Sequence, residues 1–232
     1  MCYEAITCPD CSSLNVVKNG KTAQRKQRYL CKDCRRQFIR AYTYLGCVGA
    51  VRTLIVPLTM NGSGIRDIAR VLLLSSNTVL KTLREAAAVV GEPALPRRVR
   101  DLELDEYWSF VGTKKRQRWT WYGFDRQRRQ VVASVNDRRT DAACQRLVKK
   151  LAGCQISRYH TDDWQSYKKF LPTSKHKIGK EGTRGIERHN LNFRTHIKRL
   201  QRRTICYSKS VEMHDAVLKL YVHHSNAGHH HL

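Results

Sequence analysis

The chain has 232 residues, 41% of them hydrophobic, and carries 44 Lys and Arg against 19 Asp and Glu, a formal charge of +25. That length supports one sizeable core with one or two small modules beside it, and so large a cationic excess points to a polyanionic partner, nucleic acid before any other. No apolar run approaches the ~20 residues of a membrane-spanning helix and no signal-peptide core opens the chain, so a cytoplasmic protein without a membrane partner is expected.

The charge is spread along the sequence: residues 1–100 hold 17 basic and 6 acidic side chains, residues 101–232 hold 27 and 13. Both halves are therefore expected to meet the same partner. Nine cysteines form an odd set, four of them in two close pairs, which suits a reducing compartment better than a disulfide framework.

Residues 1–42 are too poor in apolar area to hold together without a staple. Cys8-Pro9-Asp10-Cys11 and Cys31-Lys32-Asp33-Cys34 are C-x2-C knuckles separated by 19 residues, the spacing of a four-cysteine zinc ribbon. Two residues between thiolates let one tight turn present both sulfurs to an ion, and two such turns complete a tetrahedron around structural Zn2+. A redox C-x2-C would need a βαβ context that this segment lacks. Cys2, Cys47, Cys144, Cys154 and Cys206 read as small hydrophobes or bystanders. Arg25, Lys26, Arg28, Arg35 and Arg36 would decorate the ribbon for phosphates.

Residues 43–90 read as helices, with Val48, Val51, Leu54, Ile55 and Leu58, then Ile65, Ile68, Ala69 and Leu72, then Val79, Leu80, Leu83 and Ala87 at helical spacing. Breaks fall at Asn61-Gly62-Ser63-Gly64 and near Ser75-Ser76. The last two helices have the form of a helix-turn-helix in which Ser75 or Ser76 caps the second. Ser76, Asn77, Thr78, Lys81 and Thr82 are then candidates to meet DNA in a major groove. The plainer alternative is a three-helix packing module with a solvated polar face. The proline-bearing stretch 91–100 reads as a linker.

Beyond it the period changes. Segments 102–111, 118–124 and 130–136 read as consecutive strands, followed by a helix near 140–152, a strand near 156–161, a short helix near 164–171, a strand near 174–178 and helices over 185–201 and 208–223. Three strands followed by alternating helices and strands imply an α/β domain with a mixed sheet over 101–225. The whole is then a multidomain α+β protein, with 226–232 as a disordered, His-rich tail.

In this basic chain, clustered acids are the anomaly. Asp101, Glu103, Asp105 and Glu106 place four carboxylates in six residues at the start of the first long strand. A regular strand puts Asp101, Glu103 and Asp105 on one face and Leu102, Leu104 and Glu106 on the other. Asp162-Asp163 ends a later strand and Glu187 opens a helix. These are the places where a ribonuclease-H-like fold gathers metal ligands, and two divalent cations there would clamp the attacking and leaving oxygens of a phosphodiester. Most acids in a basic protein form surface ion pairs instead, as expected of Glu212 or Asp141.

The stretches Leu104-Asp105-Glu106-Tyr107-Trp108-Ser109-Phe110-Val111-Gly112, Arg116-Gln117-Arg118-Trp119, Thr161-Asp162-Asp163-Trp164-Gln165-Ser166-Tyr167, Ile186-Glu187-Arg188-His189-Asn190-Leu191-Asn192 and Ser208-Lys209-Ser210-Val211-Glu212-Met213-His214-Asp215 resemble transposases of the insertion sequence one family. The two N-terminal modules match as well. The resemblance implies an Asp-Asp-Glu triad of Asp105, Asp162 and Glu187 holding Mg2+ or Mn2+, with 24 residues between the last two. Arg194, seven positions after Glu187 on the same helical face, would hold DNA phosphate, beside Arg188. Where the family has Asp-Gly before the tryptophan, this chain has Asp162-Asp163, so Asp163 is a rival to Asp162. The implied activity is DNA transposition: binding of double-stranded element ends, strand cleavage to free 3' hydroxyls, and strand transfer into target DNA by a homodimer or higher homo-oligomer.

Three other readings compete. A noncatalytic DNA-binding regulator explains the N-terminal modules but not the placed acids. A tyrosine recombinase would draw on Arg188, His189, Arg194 and Tyr207 or Tyr221. A metal-dependent nuclease of the same fold would cut DNA without joining it.

Overall fold

The computed structural model describes residues 5–201 and 203–228. Cys2 and the histidines of the expected tail, 229–232, lie outside the described residues. The chain divides into two compact units, residues 1–49 and 50–232.

The first unit is a three-stranded antiparallel sheet of β1 (Val16–Lys21), β2 (Gln27–Cys31) and β3 (Gln37–Ile39), with Val16 opposite Cys31 and Tyr29 opposite Phe38. Its buried core is Cys8, Cys31 and Phe38, flanked by Ile6, Val16 and Tyr29. Two of those three core residues are cysteines, so one sulfur of each knuckle lies in the interior of the ribbon while Cys11 and Cys34 are exposed.

The second unit opens with α1 (Gly49–Thr53), α2 (Ile55–Met60), α3 (Ile65–Val71) and α4 (Ser76–Val89). The breaks follow the chemistry read from the sequence. Gly64 precedes α3, and Ser75 caps α4 by accepting from the Thr78 N–H at 3.0 Å. In the turn between them Leu73 takes a left-handed φ of 53° while Leu74 N–H donates to Ala69 C=O at 2.8 Å.

Next comes a five-stranded sheet of β4 (Arg98–Val111), β5 (Thr113–Asp125), β6 (Gln130–Asp137), β7 (Gln155–Thr161) and β8 (His176–Ile178), in the order β6-β5-β4-β7-β8. β4, β5 and β6 are antiparallel hairpin neighbours; β7 lies parallel to β4, and β8 parallel to β7. Helix α5 (Asp141–Lys150) precedes β7 and α6 (Gln165–Phe170) follows it, with α7 (Arg184–His196) and α8 (Val211–Asn226) closing the unit. This is a ribonuclease-H-like sheet.

Strand alternation separates two cores. Leu102, Leu104, Trp121 and Val132 pack with Ala143, Leu147 and Tyr167 of α5 and α6. Tyr107, Tyr122, Phe124 and Val131 pack with Phe193 of α7 and Val217 and Tyr221 of α8. The second core continues into Ile55, Ile68, Val79 and Leu83, so the helices before the sheet share one interior with it.

Four boundaries differ from expectation. β4 begins at Arg98, inside the stretch read as linker, because Arg98 and Val99 pair with Gln155 and Ile156. β5 begins at Thr113, five residues early, since a hairpin partner supports polar positions. α7 stops at His196, with a 3-10 turn Lys198–Leu200 beyond it. α8 runs through Asn226, whose side chain both donates to Val131 C=O at 2.8 Å and accepts its N–H at 2.9 Å, pinning a residue assigned to the tail. Among the described residues no helix is long and apolar enough to cross a membrane.

Candidate active site, zinc centre and nucleic-acid surface

The four knuckle sulfurs come together. Cys8 Sγ lies 3.5 Å from Cys34 Sγ and Cys11 Sγ 3.6 Å from Cys31 Sγ, and all four lie within 4.8 Å of one another. A tetrahedron with Zn–S bonds of ~2.3 Å has edges of roughly 3.8 Å, so the set fits zinc. Without an ion the four sulfurs share their protons: the Cys34 and Asp33 backbone N–H groups pull the Cys31 thiol down to about 7, whereas Cys11 is pushed up to about 12 and Cys34 is also raised, so ionising all four needs the metal. No position is left for substrate, and the site is a structural zinc ribbon.

Around it, Arg25, Arg28 and Arg35 are exposed. Arg36 pairs with Asp10 at 3.2 Å, and Lys26 Nζ donates to Ala41 C=O and Thr43 Oγ1, so these two also hold the ribbon's own loops. On α4, Ser76, Asn77 and Lys81 are exposed. Thr82 Oγ1 accepts from Arg52 Nε at 3.2 Å, and Arg52 also pairs with Glu85 at 2.6 Å. Arg52 was not among the sequence candidates; only the packing of α1 beside α4 reveals it.

The acid-rich strand separates residue by residue. Asp101 is clamped by His160 at 2.9 Å, Arg158 at 2.8 Å and Arg100 at 2.8 Å; burial works against its charge, yet these bonds hold its carboxyl well below the usual range. Glu103, 0% exposed, accepts from Arg126 Nε at 2.6 Å and from the Ile186 backbone N–H at 2.6 Å, docking the first turn of α7. Gly185 makes this possible, because a Cβ there would meet Glu103 Oε1 at 2.8 Å.

Glu106, on the opposite face, accepts from Arg139 at 2.5 Å and from Tyr167 Oη at 2.7 Å. Arg139 itself lies over the Trp164 and Trp119 rings, 4.3 and 4.9 Å from their centroids. Burial, with Asp105 adding to it, pushes Glu106 up to about 7.

Of the four acids on this strand, Asp105 alone pairs with no cation among the described residues. It accepts from Asn190 Nδ2 at 2.6 Å and from the Glu106 N–H at 2.8 Å. Burial first, then the charges of Asp162 and Glu187, push it up to about 6. It lies two residues past Glu103, where the pairing of β4 with β7 ends opposite His160. Asp162 follows β7, and carboxylate oxygens of Asp105, Glu106 and Asp162 lie within 4.8 Å of one another.

Glu187, exposed in the first turn of α7, stands outside that close group, though its charge reaches Asp105. Among the described residues, none of Asp105, Asp162 and Glu187 forms an ion pair, whereas Asp163 pairs with Lys168 at 2.5 Å and turns to solvent. An acid set denied cations in a protein with so many suits a divalent metal.

Two residues here escaped the sequence reading. Glu106 was assigned to the far face, yet one of its oxygens reaches the group. Asn190 lies three positions after Glu187, the helical spacing that puts both on one face, and it also accepts from Tyr122 Oη at 2.8 Å.

His214 and Asp215, in the last matching stretch, serve the fold. His214 bridges Ser208 Oγ at 2.7 Å and Ser109 Oγ at 3.1 Å, and burial pushes it down to about 3. Asp215 pairs with Arg118. The recombinase alternative loses Tyr221, which is 0% exposed with its hydroxyl at 2.9 Å from His196 Nδ1.

Comparison with known proteins follows the same division. Residues 1–35 match a zinc-ribbon family model described as the InsA N-terminal domain, residues 42–87 a helix-turn-helix model described as the InsA C-terminal domain, and residues 99–227 a model described as IS1 transposase. Over 120 residues, 52% of this chain, it is 47% identical to the insertion element iso-IS1n protein InsB of Shigella dysenteriae and to the insertion element IS1 protein InsB of Shigella flexneri, covering 92% of each. It is 46% identical to the insertion element IS1 2 protein InsB of Escherichia coli (strain K12), over 72% of that protein. Among solved structures, a chain of a simian T-cell lymphotropic virus intasome in complex with the PP2A regulatory subunit B56 gamma overlays at TM-score 0.38 and 12% identity, over 72% of this chain and 66% of that one, too distant to inform the site. With the transposase model covering more than half of its residues, and the zinc ribbon and DNA-binding helices in place before it, the chain belongs to the IS1 transposase family.

Proposed function

We propose that this transposase cleaves DNA strands at the ends of an insertion sequence and transfers them to target DNA, with Asp105, Asp162 and Glu187 holding Mg2+ or Mn2+. The observation that carries the reading is the contrast along β4. Asp101, Glu103 and Glu106 each have an arginine partner, whereas Asp105 is raised by burial and by two further acids with no cation to relieve it. Bound there, divalent ions would activate the attacking oxygen and stabilise the leaving one.

The protein's own residues do the positioning. Asn190 orients Asp105, Glu103 fixes the start of the helix that bears Glu187, and Thr183 Oγ1 donates to Glu187 Oε1 at 3.2 Å. Asp163 is exposed and pairs with Lys168, which supports Asp162 as the ligand at that corner. Arg194 and Arg188 on α7 would hold DNA phosphates, with Arg25, Arg28 and Arg35 of the ribbon and Asn77 and Lys81 of α4 contacting the ends. Two ends must be joined, so the working form is a homodimer or larger, acting on cytoplasmic DNA.

The test is incubation of labelled IS1-type end DNA with the full chain and Mg2+ or Mn2+, followed by separation of nicked and strand-transfer products. Asp105→Asn, Asp162→Asn and Glu187→Gln should each cut cleavage about a hundredfold or more while end binding persists. Wild-type cleavage by all three would refute the assignment. Nicks without joined products would favour the nuclease reading.

A further inference from the structure

The hairpin of β4 and β5 runs on past the rest of its sheet. β7 stops pairing with β4 at Glu103, and β6 stops pairing with β5 at Trp119. From Ser109 and Arg118 outward the two strands form a ribbon whose only further strand-like contact, among the described residues, is an isolated bridge from Val111 to Ser208. A two-stranded ribbon is marginal by itself, but the root of this one is stitched down. Gly112 N–H donates to Ser208 C=O at 2.8 Å, Ser109 Oγ donates to Arg118 C=O at 2.6 Å, and the buried His214 ring ties Ser109 to Ser208.

The tip of this anchored ribbon concentrates positive charge. Between the pair Phe110–Gln117 and the pair Val111–Thr113, Lys114, Lys115 and Arg116 have no opposite residue on β4. Such a bulge turns side chains away from the ladder, and Thr113 through Gln117 are all exposed. Lys209, also exposed, follows Ser208 and adds a fourth cation beside the tip. No acid occurs between Glu106 and Asp125. At the root Arg118 is claimed by Asp215, and beyond the strand Arg126 is claimed by Glu103. Among the described residues Lys114, Lys115, Arg116 and Lys209 pair with no acid and donate no side-chain hydrogen bond.

Four like charges gathered on one ribbon repel one another unless a polyanion neutralises them. Duplex DNA carries one phosphate charge per about 1.7 Å of its axis, a density that a row of neighbouring cations can meet. Lysine and arginine contacts to phosphate position a duplex without reading its sequence, unlike the exposed Asn77 of α4, a residue type that reads base edges. We propose that the β4–β5 ribbon is a sequence-independent site for double-stranded DNA, and that it holds the target duplex by its phosphates through Lys114, Lys115, Arg116 and Lys209. Calling that duplex the target rests on the strand-transfer reading above; the binding itself does not.

The test uses the full chain with zinc retained and Ca2+ in place of Mg2+, so that binding is read apart from cleavage. The chain is loaded with one equivalent of unlabelled IS1-type end duplex, and capture of a fluorescent duplex of unrelated sequence is followed by anisotropy over a range of salt. The triple variant Lys114→Gln, Lys115→Gln, Arg116→Gln should weaken capture and flatten the slope of log affinity against log salt by about 2 to 3, at roughly 0.9 per phosphate contact. Its affinity for end duplex should change little, and in Mg2+ it should still nick end DNA while yielding fewer joined products. Lys114→Arg with Lys115→Arg keeps the charge and should keep the slope. An unchanged slope in the glutamine variant, or an equal loss of affinity for end and unrelated duplex, overturns the proposal. So does a slope lost in the arginine variant, because charge would then not be the cause. Cleavage by Asp105→Asn is measured in parallel: its loss, with capture indifferent to the ribbon cations, sinks only the ribbon. Wild-type cleavage by Asp105→Asn alongside charge-dependent capture sinks only the carboxylate assignment.

Discussion

Asp105 is expensive to keep ionised without a metal, and that expense is measurable. Its carboxyl is pushed up to about 6 in the folded chain, against ~3.9 in an unfolded one. Below pH ~4 both states are protonated and nothing is lost. As pH rises from there to about 6 the unfolded state ionises first, so the metal-free protein loses stability across that window, by about 3 kcal/mol in total. Asp105→Asn removes this loss. We expect the variant, with zinc retained and no other divalent ion added, to melt higher than wild type at pH 7 and to converge with it near pH 4. A variant that melts no higher at pH 7 would contradict the burial argument. Residue spacing marked the acid-rich strand but not which acid was which; the family resemblance alone singled out Asp105. The arginines that claim Asp101, Glu103 and Glu106 come from positions 158, 126 and 139, on other strands and turns. Glu187 was read correctly as opening a helix, yet nothing local told that it would stand outside the closest acid group.

At the level of elements, periodicity and turn chemistry carried most of the reading. The three helical stretches before the sheet, the first of them split into α1 and α2, the three leading strands and the knuckles are where apolar spacing, Gly64, Ser75 and C-x2-C put them. The ends were missed wherever a distant partner decides them, as with Arg98 on Gln155 and Asn226 on Val131. The docking of α7 is another such case. Gly185 lies in the first turn of that helix, where alanine would ordinarily stabilise by roughly 0.5–1 kcal/mol. Here the added methyl meets Glu103, which is fully buried and held by Arg126 and the Ile186 N–H, so it has nowhere to move. Gly185→Ala should therefore destabilise by about 1–3 kcal/mol. Because the same turn carries Glu187, cleavage should fall further than the fraction of unfolded protein accounts for. A calorimetric melt at or above the wild-type temperature would show that the helix is not seated on Glu103.

Over the whole molecule, stability is divided unequally between the two units. Residues 50–232 hold two extended cores built from both faces of a sheet, whereas among the described residues of 1–49 the buried hydrophobic cluster is Cys8, Cys31 and Phe38. So small an interior cannot offset the chain entropy of ordering the ribbon, and metal binding must supply the difference. Four sulfurs within 4.8 Å cannot all stay ionised once the ion is gone, so metal loss is coupled to proton uptake. Removing zinc with a chelator should therefore unfold residues 1–49 and leave the sheet unit standing. The sequence provides a clean readout, since all four tryptophans, Trp108, Trp119, Trp121 and Trp164, belong to the second unit. Limited proteolysis in chelator should cut within the first 49 residues while tryptophan emission keeps its wavelength, and re-adding zinc should restore protection. A ribbon that resists protease without metal, or an emission shift that accompanies its loss, would mean that stability is not partitioned in this way. Duplex affinity measured on the stripped protein should fall with the loss of Arg25, Arg28 and Arg35 as an ordered set, and its dependence on salt should flatten with them.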